Sequence, residues 1–276
     1  MIFASDLDRT LIYSHKFIKE DCSKEQVIDI ERKTTDGKCN IISYMSKDTL
    51  EGLKKVDKQG YFIPVTTRSK AQYQRIEVFQ DVIKPKYAIT SNGGNIFVDG
   101  QIDEKWQKIV NLTLKSIPVG IDEAYDNFPH ENTYQWLVSL KKVEGIFFYC
   151  VVEEALFKRS FLEGFRKYLE SNGWRVHFHG RKIYFMPEPI SKEHALKYIV
   201  DNYIGESSQL HTAGDSDMDI SMAPISDVFH VPRHGEIFKN LDNYPENKHK
   251  YMVTENKGFH ASEEIVEKVL GFIHRE

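Results

Sequence analysis

The chain opens Met1-Ile2-Phe3-Ala4-Ser5-Asp6-Leu7-Asp8-Arg9-Thr10. A short apolar run ending in two carboxylates two positions apart restricts the fold and its chemistry more than any other feature. The run reads as a buried strand. Strand side chains repeat every second residue, so Asp6 and Asp8 point the same way if the extended geometry persists. Two like charges that close are unfavourable unless something neutralises or divides them. A divalent cation does so. So does a division of labour in which one carboxylate attacks and the other carries a proton. Taken alone, Asp-x-Asp also reads as a polar turn after an edge strand, so the choice rests on the remainder of the chain.

Three later segments supply what the pair lacks. Tyr61–Val65 reads as a buried strand ending in Thr66-Thr67-Arg68-Ser69. Lys192 stands at a helix start with Ser191 as N-cap. Leu210–Ala213 leads into Gly214-Asp215-Ser216-Asp217-Met218-Asp219. Leu50, Leu53 and Val56 give helical spacing to Asp48–Gln59, with Gly60 as the stop. Tyr87–Thr90 reads as a further strand, ending in Ser91-Asn92-Gly93-Gly94. Strands alternating with helices predict an α/β fold with a doubly wound, mostly parallel sheet. Ligands bind such sheets at the carboxyl ends of the strands, where these polar residues fall.

The Asp pair, Thr66, Lys192 and the Asp215 segment, in that order, resemble the four motifs of the haloacid dehalogenase (HAD) superfamily, and Asp6–Leu11 matches the first of them. The resemblance implies a Rossmann-like core and a magnesium-dependent phosphatase. It gives Asp6 the nucleophilic attack on phosphorus and Asp8 the general acid–base role. Mg2+ would be held by Asp6, the backbone carbonyl of Asp8, and Asp215. Asp219 would stand beside them, holding a metal-bound water or Lys192. Thr66 would donate its hydroxyl to a phosphate oxygen, aided by the N–H of Thr67, and Lys192 would offset phosphoryl charge and hold Asp6. Arg68 follows as in the family's Thr-Gly-Arg, where it binds a substrate anion or caps a helix. Asn92-Gly93 resembles a substrate-contacting Ser/Thr-Asn-Gly segment. Two departures stand out: Thr67 replaces the usual Gly, and Met218 replaces an Asn, removing a polar group beside the metal.

Between the second and third motifs the pattern changes. Leu112–Ile117 and Ile121–Phe128 read as helical or mixed, and Thr133–Leu140 and Gly145–Glu153 as strands. Leu156–Asn172 reads as an amphipathic helix with Phe157, Phe161, Phe165 and Leu169 on one stripe. Strands at Arg175–His179 and Lys182–Met186 flank Gly180-Arg181. The position and size of this insertion resemble the α/β cap of HAD subclass IIB, the Cof-type and sucrose-phosphatase-like group. The expected organisation is a core of residues 1–94 and 187–276 with a cap at 95–186. Tyr134, Trp136, Lys141, His179 and Arg181 are candidate cap residues for choosing the substrate. Within the core, Val27–Glu31 and Asn40–Tyr44 flank Thr35-Asp36-Gly37-Lys38, a hairpin signal after the first motif. It reads as a flap over the site or as a surface hairpin. Val253–Glu255 and Ser262–Ile273 read as a last strand and closing helix.

At 276 residues the chain has room for a core and a large insertion. A net charge of -4 argues against a nucleic-acid partner, which calls for a basic face. No apolar run approaches the roughly 20 residues that span a bilayer. No basic-then-apolar leader precedes the first strand. Cys22, Cys39 and Cys150 are scattered and odd in number, which fits free thiols in the cytoplasm. Asp215-x-Asp217-x-Asp219 imitates a calcium loop but has Ile220 where that loop needs Gly. His177-x-His179 could bind a metal, but its place on adjacent strands makes a surface or partly buried pair the simpler reading. The sequence therefore points to a phosphatase of a small phosphorylated metabolite, most naturally a sugar phosphate. The alternatives are a phosphomutase of the same superfamily and a low-turnover metabolite-binding protein. Oligomeric state is not encoded in any recognisable signal.

Overall fold

Ile2 through Ser5 are wholly shielded from solvent, so the opening strand has to lie inside a sheet, covered on both faces. The structure, a computed structural model, describes residues 1–21, 23–35, 37–129, 135–205 and 208–273. The first part runs β1 (Ile2–Ser5), α1 (His15–Asp21), the hairpin β2 (Val27–Thr35) and β3 (Lys38–Ser46), α2 (Lys47–Gln59), β4 (Tyr61–Pro64), α3 (Lys70–Gln74), β5 (Tyr87–Thr90), β6 (Asn95–Val98) and β7 (Gln101–Ile102). Then come α4 (Glu104–Ser116), α5 (Ile121–Asp126), β8 (Leu137–Val143), β9 (Phe147–Val152), α6 (Glu163–Glu170), β10 (Trp174–His179) and β11 (Lys182–Pro187). The chain returns through α7 (Lys192–Ile199), β12 (Leu210–Ala213), β13 (Val228–Val231), α8 (Glu236–Lys239), β14 (Tyr251–Val253) and α9 (Gly258–Ile273).

The central sheet is parallel, in the order β14-β13-β12-β1-β4. A bridge from Val65 to Ile89 carries it on to β5, which pairs antiparallel with β6. Alternate residues of β1 serve two apolar layers. Ile2 and Ala4 join Leu196 and Ile199 of α7, while Phe3 joins Leu53 and Val56 of α2 and Val266 of α9. This is the doubly wound α/β arrangement that the strand–helix alternation implies. Register then places the site. Ser5 pairs with both Pro64 and Ala213, so β1, β4 and β12 end level and their next residues emerge together.

The second sheet is antiparallel, in the order β10-β11-β9-β8. Its strands alternate in the same way. Phe148, Cys150, Ile183 and Phe185 pack with Trp136, Leu162, Leu169 and Trp174 in a separate cluster. Phe147, Tyr184 and Met186, on the other face, pack with the apolar layer of the parallel sheet.

Several boundaries differ from the sequence reading. α4 starts well before Leu112, because Asp103 caps it by accepting from the N–H groups of Lys105 and Trp106. Its Trp106 and Val110 pack with the parallel sheet, and Trp106 Nε1 donates to Gly93 O at 2.8 Å. β8 begins at Leu137, and Glu144 and Gly145 form the turn to β9, both with positive φ. The stretch expected as one helix from Leu156 to Asn172 forms α6 over Glu163–Glu170 only, preceded by a 3-10 turn. Leu156 and Phe161 are about half exposed, so the proposed stripe is not continuous. Phe161 instead stacks on Trp136, with centroids 6.0 Å apart. The final helix starts at Gly258, and the strand before it ends at Val253. The flap hairpin forms and is longer than expected, nine residues per strand. Its turn residue Asp36, and also Cys22, lie outside the described residues.

On β12 and β13, His211 Nδ1 and His230 Nε2 share a hydrogen bond at 3.1 Å in the interior. Their other ring nitrogens have no partner among the described residues. Burial pushes His211 down to about 4; burial, then repulsion from His211, pushes His230 down to about 3. Both lie below the ~6.5 of an unfolded chain, so between those values the unfolded state binds more protons and stability falls as pH falls. Urea unfolding at pH 7 and pH 5 should show this pair contributing a loss of about 2 kcal/mol or more. The His230→Gln variant should show a clearly smaller difference between the two pH values. An unchanged difference would contradict the assignment.

Candidate active site

Because β1, β4 and β12 end level, Asp6, Thr66 and Asp215 follow three adjacent strands. α7 delivers Lys192 to them from below. Ser191 caps α7 by accepting from His194 N, so Lys192 is its first residue. The position of α7 is fixed at Gly93, whose φ is +98° and where a Cβ would sit 2.1 Å from Ser191 O. Lys192 is 1% exposed, and its Nζ donates to Asp6 Oδ1 at 2.6 Å, Asp219 Oδ1 at 2.5 Å and Val65 O at 3.0 Å. All three ammonium donors are thereby used.

Asp219 is completely buried. Its Oδ2 accepts from Asp215 N, Ser216 N and Ser216 Oγ at 2.8–3.1 Å. Gly214 permits that fold-back, since a Cβ there would meet Asp219 Cβ at 2.2 Å. Asp6 Oδ2 has only a 3.3 Å contact from the Thr10 hydroxyl. Oxygen atoms of Asp6, Asp215 and Asp219 all lie within 4.8 Å of one another. Burial, then repulsion from Asp219, pushes Asp6 well above the ordinary carboxylate range against the pull of Lys192. Burial and Asp219 likewise push Asp215 up to about 7.

Asp8 is half exposed, and Arg68 grips it with a fork: Nε to Oδ2 at 2.7 Å and Nη2 to Oδ1 at 2.8 Å. Desolvation opposes ionisation of Asp8, but the Arg68 charge and hydrogen bonds outweigh it and hold the carboxyl below its usual range. Arg68 is anchored in turn by buried Glu31 of β2, at 2.6 Å. Glu31 also binds Arg75 at 2.8 Å and Ser43 at 2.9 Å. The hairpin is thus tied to the site through a charged network. Arg9 has φ +67° and brings Nε to 3.3 Å from Asp215 Oδ2.

These groups surround a cavity of about 670 Å³ roofed by Phe147, Tyr149, Lys182 and Tyr184 of the antiparallel sheet. Thr67 and Arg68 line it, facing Tyr184 across the same space. Thr66 is buried, with its Oγ1 accepting from Arg68 N at 3.1 Å. Asn92 and Gly93, expected to contact substrate, lie elsewhere. Asn92 Nδ2 points to Ile190 O at 3.5 Å, and both residues are buried where β5 meets α7. Their visible work is to seat the helix that carries Lys192. Of the other candidates, His179 and Arg181 line the cavity, Trp136 is buried among the apolar residues of the antiparallel sheet, and Lys141 is not among the lining residues. Tyr134 lies outside the described residues. His177 bonds Asp217 at 2.7 Å and His179 bonds Glu236 at 3.1 Å, joining β10 to the parallel-sheet half.

The family model for sucrose-6F-phosphate phosphohydrolase matches residues 1–270. The chain belongs to that family. The sucrose-6F-phosphate phosphohydrolase family consists of phosphoric monoester hydrolases of the HAD superfamily, in line with the motif reading. No curated protein sequence matches the chain. Among solved structures it resembles the sucrose-phosphatase from Synechocystis sp. PCC6803 in complex with sucrose and phosphate, with 14% identity, TM-score 0.64, and 99% and 98% of the two chains covered. It also resembles a HAD subclass IIB sugar phosphatase (15% identity, TM-score 0.58, 99% of each chain). A third is a trehalose-6-phosphate phosphatase related protein (13% identity, TM-score 0.56, 100% of each chain). At these identities the likeness is one of fold.

Within the family frame, the residues that sequence reasoning missed are Arg9, Glu31, Tyr149, Lys182 and Tyr184. Period-two alternation held a signal for the last three. Once Ile183 and Phe185 are read as inward, Lys182 and Tyr184 must face the other way. Glu31 gave none, since its partners are distant in sequence. The carboxylate set suits a divalent cation: oxygen donors only, mutually repelling, with Asp215 Oδ2 lacking a hydrogen bond among the described residues. Asp6 and Asp215 would hold the metal directly, and Asp219 would support them from Lys192's side. Magnesium should therefore raise the thermal unfolding midpoint. The Asp215→Asn variant should melt higher than wild type without metal, through relief of repulsion, and should gain little from magnesium. An equal magnesium-induced rise in both would contradict the metal site.

Proposed function

We propose that this protein is a magnesium-dependent phosphatase acting on a small sugar phosphate through a phosphoryl-Asp6 intermediate. The observation that carries the reading is the fixation of Asp6, which lines the cavity, by Lys192 on Oδ1, with Oδ2 left only a 3.3 Å contact from Thr10. A sugar phosphate fits a cavity of about 670 Å³ closed by an aromatic roof. The fold neighbours with sugar-phosphatase names support that substrate class. Residues 95–186 act as the cap in this reading.

Phosphate monoesters resist hydrolysis strongly, so positioning and charge stabilisation matter most. Asp6 Oδ2 attacks phosphorus, and the bond to the sugar oxygen breaks. Asp8 donates its proton to that departing oxygen. Water then attacks phosphorus, Asp8 takes a proton from it, and Asp6 leaves as a free carboxylate. Splitting one displacement into two in-line steps keeps each nucleophile positioned rather than diffusing. Lys192 stays cationic throughout, since Asp219 and Asp6 outweigh its burial and push it above the usual lysine range. Thr66 and the Thr67 N–H serve the phosphoryl oxygens. An arriving phosphate dianion offers Arg68 a second acceptor, which loosens its hold on Asp8 and lets Asp8 carry the proton. Magnesium, when bound, supplies positive charge that offsets the phosphoryl oxygens and the clustered carboxylates.

Phosphate release from p-nitrophenyl phosphate and a panel of sugar phosphates, with and without magnesium, tests this. Wild type should release phosphate only with magnesium, and Asp6→Asn should lose about a thousand-fold or more while remaining folded. Turnover that survives Asp6→Asn would overturn the role of Asp6.

A further inference from the structure

The cavity holds more positive charge than a phosphate and a metal would use. It is lined by four carboxylates, Asp6, Asp8, Glu31 and Asp215, and a fifth, Asp219, is buried directly beside them. Against these five stand four cations: Arg68 and Arg75 on Glu31 and Asp8, Lys192 shared by Asp6 and Asp219, and Arg9 beside Asp215. Three further cations line the same space. Lys182 and Lys33 make no ion pair within 4 Å among the described residues, Lys182 having only the more distant charge of Asp8, and Arg181 has only Glu153 at 3.8 Å. A divalent cation and a phosphate dianion cancel each other, so this surplus persists with both bound. It is concentrated in a chain whose net charge is -4. Narrow clefts focus such a field onto a ligand.

The surplus lies at the start of β11 of the roof and on β2 of the hairpin. Lys182 extends over Tyr149 and Tyr184, with Nζ 5.5 and 6.0 Å from their ring centroids. The rings themselves stand 5.7 Å apart, on adjacent strands. The two rings, tilted by 38°, form an aromatic wall with a cation across it. A neutral sugar is held by hydrogen bonds and ring contacts and needs no unpaired ammonium.

We propose that the leaving group of the natural substrate carries its own acid group, a carboxylate or a second phosphoryl group, which Lys182 binds with help from Arg181 and Lys33. The proposal rests on the phosphatase reading and names the substrate class within it.

The test compares kcat/KM, at saturating magnesium, for 6-phosphogluconate and fructose 1,6-bisphosphate against glucose 6-phosphate and p-nitrophenyl phosphate. Wild type should favour at least one acid-bearing substrate ten-fold or more. Preference for the first alone assigns a carboxylate, and preference for the second alone assigns a phosphoryl group. Lys182→Met should lose at least ten-fold more on the favoured substrate than on glucose 6-phosphate, chiefly through KM, and Lys182→Arg should restore the preference. Equal use of neutral substrates, or an equal loss on both kinds, overturns the subsite. Calorimetric binding of the same compounds to Asp6→Asn separates the two readings. If no compound is turned over by wild type but the acid-bearing ones still bind tighter, the subsite stands and the phosphatase reading falls. Equal binding refutes the subsite.

Discussion

A single buried ammonium organises this protein. Lys192 has its three donors committed to Asp6, Asp219 and Val65 O, in a place where an unpaired charge would be very costly. The converse matters as much. Asp6, Asp215 and Asp219 repel each other inside the protein, and Lys192 is the only cation wholly buried among the described residues to offset them. Removing it would leave carboxylates that must protonate or draw apart. The cluster is therefore a charge balance that is incomplete without a further cation, and that imbalance is itself the strongest physical sign of a reactive site.

Everything around the cluster serves to hold it. The parallel register ends β1, β4 and β12 at one level, and the closeness of Gly93 to Ser191 O fixes where α7 begins. The Glu31–Arg68–Asp8 chain extends control outward to the flap hairpin, so the two carboxylates of the opening motif live in opposite surroundings. Asp6 is buried among like charges and Asp8 is half exposed in an arginine fork. Such divergence is what a nucleophile and a proton carrier two residues apart require.

Much of this was legible in the sequence because it is local or strictly periodic. Asp6, Asp8, Thr66, Lys192 and Asp215 each follow a strand or begin a helix, and the strand–helix alternation fixed their common edge. The flap hairpin was legible from Asp36-Gly37 between two β-prone runs. What escaped depends on contacts between distant segments. Glu31 looks like any strand glutamate until Arg68 and Arg75 fold onto it. Asn92 and Gly93 resemble a substrate loop, and in the structure they pack against the start of α7 and do not line the cavity of Asp6. The aromatic stripe from Phe157 to Leu169 misled because a 3-10 segment over Arg159–Leu162 interrupts it, so equal spacing did not produce one helix face. Thr67, a departure from the family pattern, lines the same cavity as Tyr184 of the antiparallel sheet.

The central claim is that Asp6 becomes covalently phosphorylated. Borohydride quenching during turnover would reduce an aspartyl-phosphate to homoserine, which mass spectrometry of the N-terminal peptide locates. The account predicts homoserine at position 6 in enzyme quenched with substrate and magnesium, and none without substrate. Rapid turnover with no modification at Asp6, or with modification at another carboxylate, would contradict it.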